Sequence, residues 1–337
     1  MKLLFSAVLN LKMASIMKKL LLLMILFAAP YTSHTQPIEL PLWDGTPPLQ
    51  VEMDLEEEKV RDGILRISNV QTPALEVYLP DSTISTGKAV IIFPGGGYSI
   101  LAYDWEGTEF AEWLQSHGIA GIVVKYRLPL SESLTDAKEV PLLDAQRAIR
   151  LTRHHADEWG LNRGQIGVMG FSAGGHLAST LSTQYDHQIA RETDMIDTLS
   201  ARPDFSVLGY PVISFRDVSA HSGSRKNLLG EVTSQELIDR FSSELNVTAD
   251  TPPTFLVHGQ YDEVVPVENS FLYFDALHRH GVPVSLHVYP IDGHGFAFGT
   301  GRGPVEGWTT TLLDWLRAQA KKSPLETLDS PWCICGK

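Results

Sequence analysis

From residue 89 onward, short apolar runs alternate with segments of helical period. Ala89-Val-Ile-Ile-Phe93 is apolar at every position, the pattern of a strand buried on both faces. A helix is predicted over 104–117, closed by Gly118, and a strand over Gly121–Val124. Leu142, Ala145, Ile149, Thr152 and Ala156 fall on one side of a helix over 141–158 that ends near Gly160. Ile166–Met169 reads as a strand and 173–183 as the helix after it. Phe205–Tyr210 and 254–258 are further strands, and a helix over 267–280 ends at Gly281. Val284–Tyr289 is the last strand, and Trp308, Leu312, Trp315 and Leu316 predict a closing helix over 305–320. Upstream, 64–69 and 74–79 alternate as antiparallel strands. The Pro- and acid-rich residues 37–60 read as an extended lead-in, with Trp43 as a possible anchor.

Continuous alternation of strand and helix predicts an α/β fold with a mainly parallel central sheet and helices on both faces. No linker-like stretch interrupts it, so a single domain is expected over 37–325, followed by a tail at 326–337. The exception is 212–250, a small insertion between two strands with a modest helix around 234–244. It reads equally as a cap over a site or as a surface excursion.

Composition narrows the class. The 337 residues are 43% hydrophobic and 20% charged, ordinary for a globular chain. A formal charge of −13 argues against nucleic acid or an anionic membrane as the main partner. Residues 1–36 carry four Lys and no acid, so without them the charge is −17. Those residues read as a secretory signal that starts at Met17. Met17-Lys-Lys19 is basic, Leu20–Ala29 is an apolar core too short to span a bilayer comfortably, and Thr35/Gln36 is a plausible cleavage point. A secreted or periplasmic mature chain is expected. The two cysteines, Cys333 and Cys335, sit in the tail, where a Cys-x-Cys disulfide would be strained. That leaves no nucleophilic Cys and no Cys-based zinc site in the body of the chain.

The chemistry centres on Gly170-Phe-Ser-Ala-Gly174, placed between a predicted strand and a predicted helix. A sharp strand-to-helix turn exposes a serine only if small residues flank it two before and two after. Ser172 then needs a base, and the base an orienting acid. Loops at the carboxyl ends of parallel strands share one edge, so the partners are sought there. Asp262 follows the strand 254–258, and His294 follows the last strand, in Gly293-His-Gly295. The order Ser172, Asp262, His294 is the one expected of an α/β-hydrolase. Rival acids are Glu263, Asp217 and Asp292; His176 and His258 fit packing positions better than that of the base. Pro94-Gly-Gly-Gly-Tyr98 follows the first buried strand, and Gly96 or Gly97 could join Ala173 in donating N–H groups to an oxyanion. Neither G-x-x-x-x-G-K-[ST] nor G-x-G-x-x-G occurs, which disfavours phosphate binding. Tyr98, Tyr103 and Trp105 could stack on a sugar but fit helix packing better.

With these motifs the chain resembles the α/β-hydrolase serine esterases of the hormone-sensitive-lipase-like group. Within that group it is similar to bacterial acetyl xylan and feruloyl esterases. The matching residues are Pro94–Tyr98, Gly170–Gly175, His258-Gly-Gln-Tyr-Asp262 with Val265-Pro266, and Gly293–Gly295. The resemblance implies Ser172 as nucleophile, His294 as base and Asp262 as orienting acid, with no metal or organic cofactor. It implies an acylated carbohydrate or other small ester as substrate. Pro94 stands where much of the group has His, and Phe171 where it often has Asp. Both departures favour the exported carbohydrate esterases over the lipase-like enzymes. An exopeptidase of the prolyl-oligopeptidase type shares the fold but would need a propeller, for which the residues before Phe93 leave no room. A dead binding protein would lack a triad member, and none is missing.

Overall fold

The computed structural model describes residues 36–189, 194–216 and 219–319. Apart from Gln36, the expected signal at 1–36 lies outside the described residues, as do the tail with Cys333 and Cys335, and Asp217. The lead-in carries two strands, β1 (Ile38–Pro41) and β2 (Glu58–Asp62). They are followed by β3 (Ile64–Ser68), β4 (Ala74–Tyr78), β5 (Ala89–Phe93) and the short β6 (Leu101–Ala102). A π-helical turn, Asp104–Thr108, leads into α1 (Glu109–Ser116), then β7 (Ala120–Lys125) and α2 (Val140–His154). Next come β8 (Ile166–Phe171), α3 (Ser172–Thr183) and β9 (Ser206–Gly209). The insertion forms α4 (Ser222–Leu229) and α5 (Gln235–Arg240). The chain closes with β10 (Thr254–Tyr261), α6 (Glu268–Arg279), β11 (Val284–Asp292) and α7 (Trp308–Gln319).

Eight strands form one sheet in the order β1-β4-β7-β5-β8-β9-β10-β11. From β7 to β11 every neighbour is parallel, and β1 and β4 add an antiparallel edge. The two upstream strands expected from alternation both exist, but in different sheets. β4 joins the large sheet, while β3 pairs with β2 and β6 in a small antiparallel one. Alternation reports that a strand has one buried face; it does not report its neighbour.

β5 is the centre of the sheet. Val90, Ile91, Ile92 and Phe93 are fully buried, and each contributes about 1.5–3 kcal/mol of transfer free energy. The helices pack around the sheet in two groups. In one, α1 and α7 meet through the Phe110 and Trp308 rings, 5.8 Å apart. In the other, α2 lies against α3. A Cβ on Gly121 would lie 2.4 Å from Ala111 Cα, so glycine lets α1 approach β7 closely. Among the described residues, no helix is long and apolar enough to cross a membrane.

The chain leaves β5 for β7 on one side and returns to β8 on the other. The crevice outside the carboxyl ends of β5 and β8 is therefore the topological switch point, where ligands of open α/β sheets bind. Pro94–Tyr98 follows β5 and Ser172 follows β8, so both motifs open into that crevice.

Candidate active site

Ser172 is the first residue of α3 and has φ +52°, a left-handed conformation that costs a side-chain-bearing residue about 1–3 kcal/mol. Close packing enforces the turn. A Cβ on Gly170 would lie 2.2 Å from Gly174 O, and one on Gly174 would lie 2.0 Å from Phe93 O. A larger residue at Gly174 would push the helix start off the end of β5, and one at Gly170 would push it off β8. The first turn of α3 aims its N–H groups and positive dipole end toward the crevice.

β10 and β11 are parallel neighbours in register from Thr254↔Val284 to Gly259↔Tyr289, and after a one-residue shift they pair again at Tyr261↔Asp292. The residues just beyond, Asp262 and His294, are thereby placed side by side. His294 Nδ1 lies 2.7 Å from Asp262 Oδ2, and His294 Nε2 lies 2.8 Å from Ser172 Oγ. Asp262 Oδ1 accepts the Val264 and Val265 N–H groups, both at 2.9 Å. Burial works to raise the Asp262 carboxyl. The His258 and His294 rings and the Val265 N–H outweigh it and hold the group well below the usual carboxylate range. His258 Nε2 is 3.6 Å from Asp262 Oδ2 but 2.9 Å from Val265 O, so its hydrogen bond goes to the carbonyl. An ionised Asp262 only accepts, which fixes the proton of neutral His294 on Nδ1 and leaves the Nε2 lone pair to the Ser172 hydroxyl.

The rivals stand elsewhere. Glu263 is exposed, and the Asp292 side chain is 93% exposed beside Arg302. His258 is buried behind Asp262, with Nδ1 on Ser270 Oγ at 2.8 Å. His176 is buried between Tyr98 Oη at 2.8 Å and Phe241 O at 2.7 Å.

The loop Pro94–Tyr98 is tied down through its acceptors. Tyr126 Oη donates to Pro94 O at 2.7 Å, and the Ala102 N–H to Gly95 O at 2.9 Å. Gly96 O accepts Ser99 N–H at 3.0 Å, and Asn227 Nδ2 donates to Gly97 O at 2.8 Å. The Gly95 N–H is committed to Glu106 Oε2 at 2.8 Å. The amides of Gly96 and Gly97, at φ +131° and +64°, follow it in the loop and carry no such bond. Opposite them, Gly95 and Ser172 are in contact: a Cβ on Gly95 would lie 3.0 Å from Ser172 Cβ. Tyr98 and Tyr103, considered above for sugar stacking, are buried, with their hydroxyls bonded to His176 and Glu76.

Residues 75–277 match the BD-FAE family. The chain belongs to this family of α/β-hydrolase esterases. The matched stretch contains Ser172 and Asp262 and stops short of His294. The chain is 33% identical over 274 residues to an acetylxylan esterase of Xylanibacter ruminicola, covering 80% of this chain and 53% of that one. It is 33% identical over 223 residues to endo-1,4-beta-xylanase B of Butyrivibrio fibrisolvens, covering 66% and 34% respectively. The chain thus spans about half the length of the first relative and a third of the second. Among solved structures, it is similar to an acetyl ester-xyloside bifunctional hydrolase from Caldicellulosiruptor lactoaceticus. Identity is 37%, the TM-score is 0.73, and the match covers 85% of this chain and 97% of that one.

In this BD-FAE chain the insertion reaches the site. Asn227, on α4, holds Gly97 O. His221, which caps α4, brings its Cε1 within 3.9 Å of where a Gly97 Cβ would sit. Burial, and then the charge of His294, push its imidazole down. His221 Nδ1 accepts the Ser224 N–H at 3.3 Å, so its own proton sits on Nε2. Neither residue stood out in the sequence, because a polar residue in an irregular stretch carries no periodicity.

Proposed function

We propose that the protein is an exported serine esterase that hydrolyses acetyl esters on carbohydrate derived from plant polysaccharide. The hydrogen-bonded series Ser172–His294–Asp262 at the switch point carries this reading. His294 Nε2 takes the Ser172 proton as Oγ attacks the ester carbonyl. The carbonyl oxygen becomes an oxyanion facing the amides of Ala173 and of Gly96 or Gly97. Asp262 stabilises the imidazolium that forms. His294 then protonates the leaving alcohol, and water, deprotonated by the same imidazole, releases the acyl group from Ser172.

The carbohydrate substrate is supported by relatives named acetylxylan esterase, xylanase and acetyl ester-xyloside hydrolase. Export is supported by the basic Met17–Lys19 and apolar Leu20–Ala29 segment. N-terminal sequencing of protein from a bacterial host checks it: a periplasmic or secreted chain starting near Gln36 is expected, and an uncleaved cytoplasmic chain refutes export.

Ser172→Ala is expected to abolish p-nitrophenyl acetate hydrolysis while the far-UV spectrum stays unchanged. Near-full activity in that variant would remove the assignment. Acetate release from acetylated xylan decides the substrate class, run beside feruloyl esters, short and long p-nitrophenyl esters and an aminoacyl amide. Preference for the short p-nitrophenyl esters over acetylated xylan would instead mark a general short-chain carboxylesterase.

A further inference from the structure

Glu106 lies in the π-helical turn before α1 and is 4% exposed. No proton transfer in the proposed reaction uses it, yet both of its oxygens are engaged. Oε2 accepts the Gly95 N–H at 2.8 Å, and Oε1 accepts the Tyr210 O–H at 2.8 Å. The Tyr210 oxygen in turn accepts the Ala297 N–H at 3.2 Å, three residues beyond His294. The Tyr210 ring meets the His294 imidazole edge-on, 5.1 Å between centroids. A Cβ on Gly95 would lie 2.6 Å from Glu106 Oε2 and 3.0 Å from Ser172 Cβ. One carboxyl therefore touches the oxyanion loop where it passes the serine and, through one tyrosine, holds the loop that carries the base.

We propose that Glu106 is a positioning residue for ester hydrolysis: it sets the Gly95–Gly97 amides against Ser172 and keeps the His294 loop in register with them. The proposal rests on the serine-esterase reading above. Two donors converge on this side chain, and only a carboxylate offers an acceptor to each; a Gln would present its amide hydrogens to one of them. Burying a carboxyl costs more than burying an amide of the same size, so a merely space-filling role would favour Gln. Burial pushes the Glu106 carboxyl up, while Tyr210, Gly95 and the charge of His294 oppose that. Tyr210 has φ +37°, a strained conformation for a bulky residue that persists only where its surroundings over-determine it.

Glu106→Ala, Glu106→Gln and Ser172→Ala are compared with the unaltered enzyme on p-nitrophenyl acetate. Active serines are counted by stoichiometric fluorophosphonate labelling, and folding is followed by thermal unfolding. Per labelled site, Glu106→Ala is expected to lose about 10–100-fold in kcat with KM within about threefold, since the misplaced amides act only on the transition state. Its affinity for a boronic acid, which forms a tetrahedral adduct on the serine, should fall in parallel with kcat/KM. Glu106→Gln, with its oxygen on the Gly95 N–H and its NH2 toward Tyr210, keeps one of the two acceptors, and its kcat is expected to fall between those of Glu106→Ala and the unaltered enzyme. A folded Glu106→Ala with undiminished kcat per labelled site overturns the proposal. So does a loss confined to KM or to the labelled fraction. Should Glu106→Ala not fold, Tyr210→Phe, which removes the Oε1 donor and with it the acceptor of the Ala297 N–H, replaces it. A kcat fall of about threefold or more at constant KM then supports the role, and no fall overturns it. Retained activity in Ser172→Ala overturns the esterase reading itself. Its loss beside an unaffected Glu106→Ala overturns only the positioning role.

Discussion

Asp262 shows how a single side chain divides its work. Oδ1 takes two backbone N–H groups that cannot turn away, and Oδ2 faces His294. An Asn at this position must give its oxygen to those amides and its NH2 to the imidazole. The His294 proton is then driven to Nε2, where the ring can no longer accept from Ser172. Asp262→Asn is expected to keep the fold and lower kcat on p-nitrophenyl acetate by about 10³–10⁴-fold. A kcat within tenfold of the unaltered enzyme would remove Asp262 from this role. At this scale the sequence was informative wherever sterics act locally. The small residues around Ser172 follow from the turn itself, and the chain order of acid and base follows from the alternation of strands. Glu106 was not legible, because a lone Glu in a helical segment reads as solvated surface. Only its 4% exposure and its bond to a tyrosine 104 positions away show otherwise.

Between elements, the Pro94–Tyr98 loop is coupled to the insertion. Asn227 holds Gly97, and His176 on α3 joins Tyr98 of the loop to Phe241 beyond α5. Residues of 212–250 thus touch the Pro94–Tyr98 loop directly through Asn227 and, by way of His176, through Phe241. The Phe241 carbonyl accepts from His176 Nε2–H, so Nδ1 is the acceptor for the Tyr98 hydroxyl and the ring is neutral. Burial, partly opposed by the Phe241 carbonyl, lowers the His176 pKa to about 4. Between that value and the unperturbed ~6.5 the unfolded chain binds more protons than the native one. Native stability must therefore fall with pH in this window, by about 1.4 kcal/mol per unit from this group. Denaturant unfolding between pH 7.5 and 4.5 tests it against His176→Gln. The variant should be less stable at pH 7.5, and the gap should narrow steadily below pH 6.5. A gap independent of pH would refute the titration.

At the scale of the molecule, the lead-in is an integral part of the fold. β1 closes one edge of the large sheet, and Trp43 is buried with the Arg147 guanidinium 4.8 Å from its ring. The Trp43 Nε1–H donates to Asp144 Oδ1 at 3.0 Å. Asp144 also takes Arg127 Nη2 at 2.7 Å, and Nε and the backbone N–H at 3.0 Å, with both side chains fully buried. Arg127 Nη1 donates to Pro48 O at 2.8 Å. Removing one charge of such a pair strands the other, so Asp144→Leu is expected to cost about 3–5 kcal/mol in chemical denaturation. The double variant Arg127→Met with Asp144→Leu should regain much of that loss, and kcat per folded molecule should not change. Equal destabilisation in single and double variants would mean that the hydrogen bonds to Trp43 and Pro48, not the buried charge, dominate.

The sequence alone determined the parallel α/β arrangement and the places of Ser172, Asp262 and His294. Both follow from interactions short along the chain: apolar period, the steric demand of a tight turn, and the edge shared by successive strand ends. Tertiary structure decided that the two upstream strands enter different sheets and that the lead-in completes the large one. It also decided which residues stand behind the Pro94–Tyr98 loop. Those depend on groups about a hundred positions apart meeting in a buried space, and no local pattern encodes such a meeting.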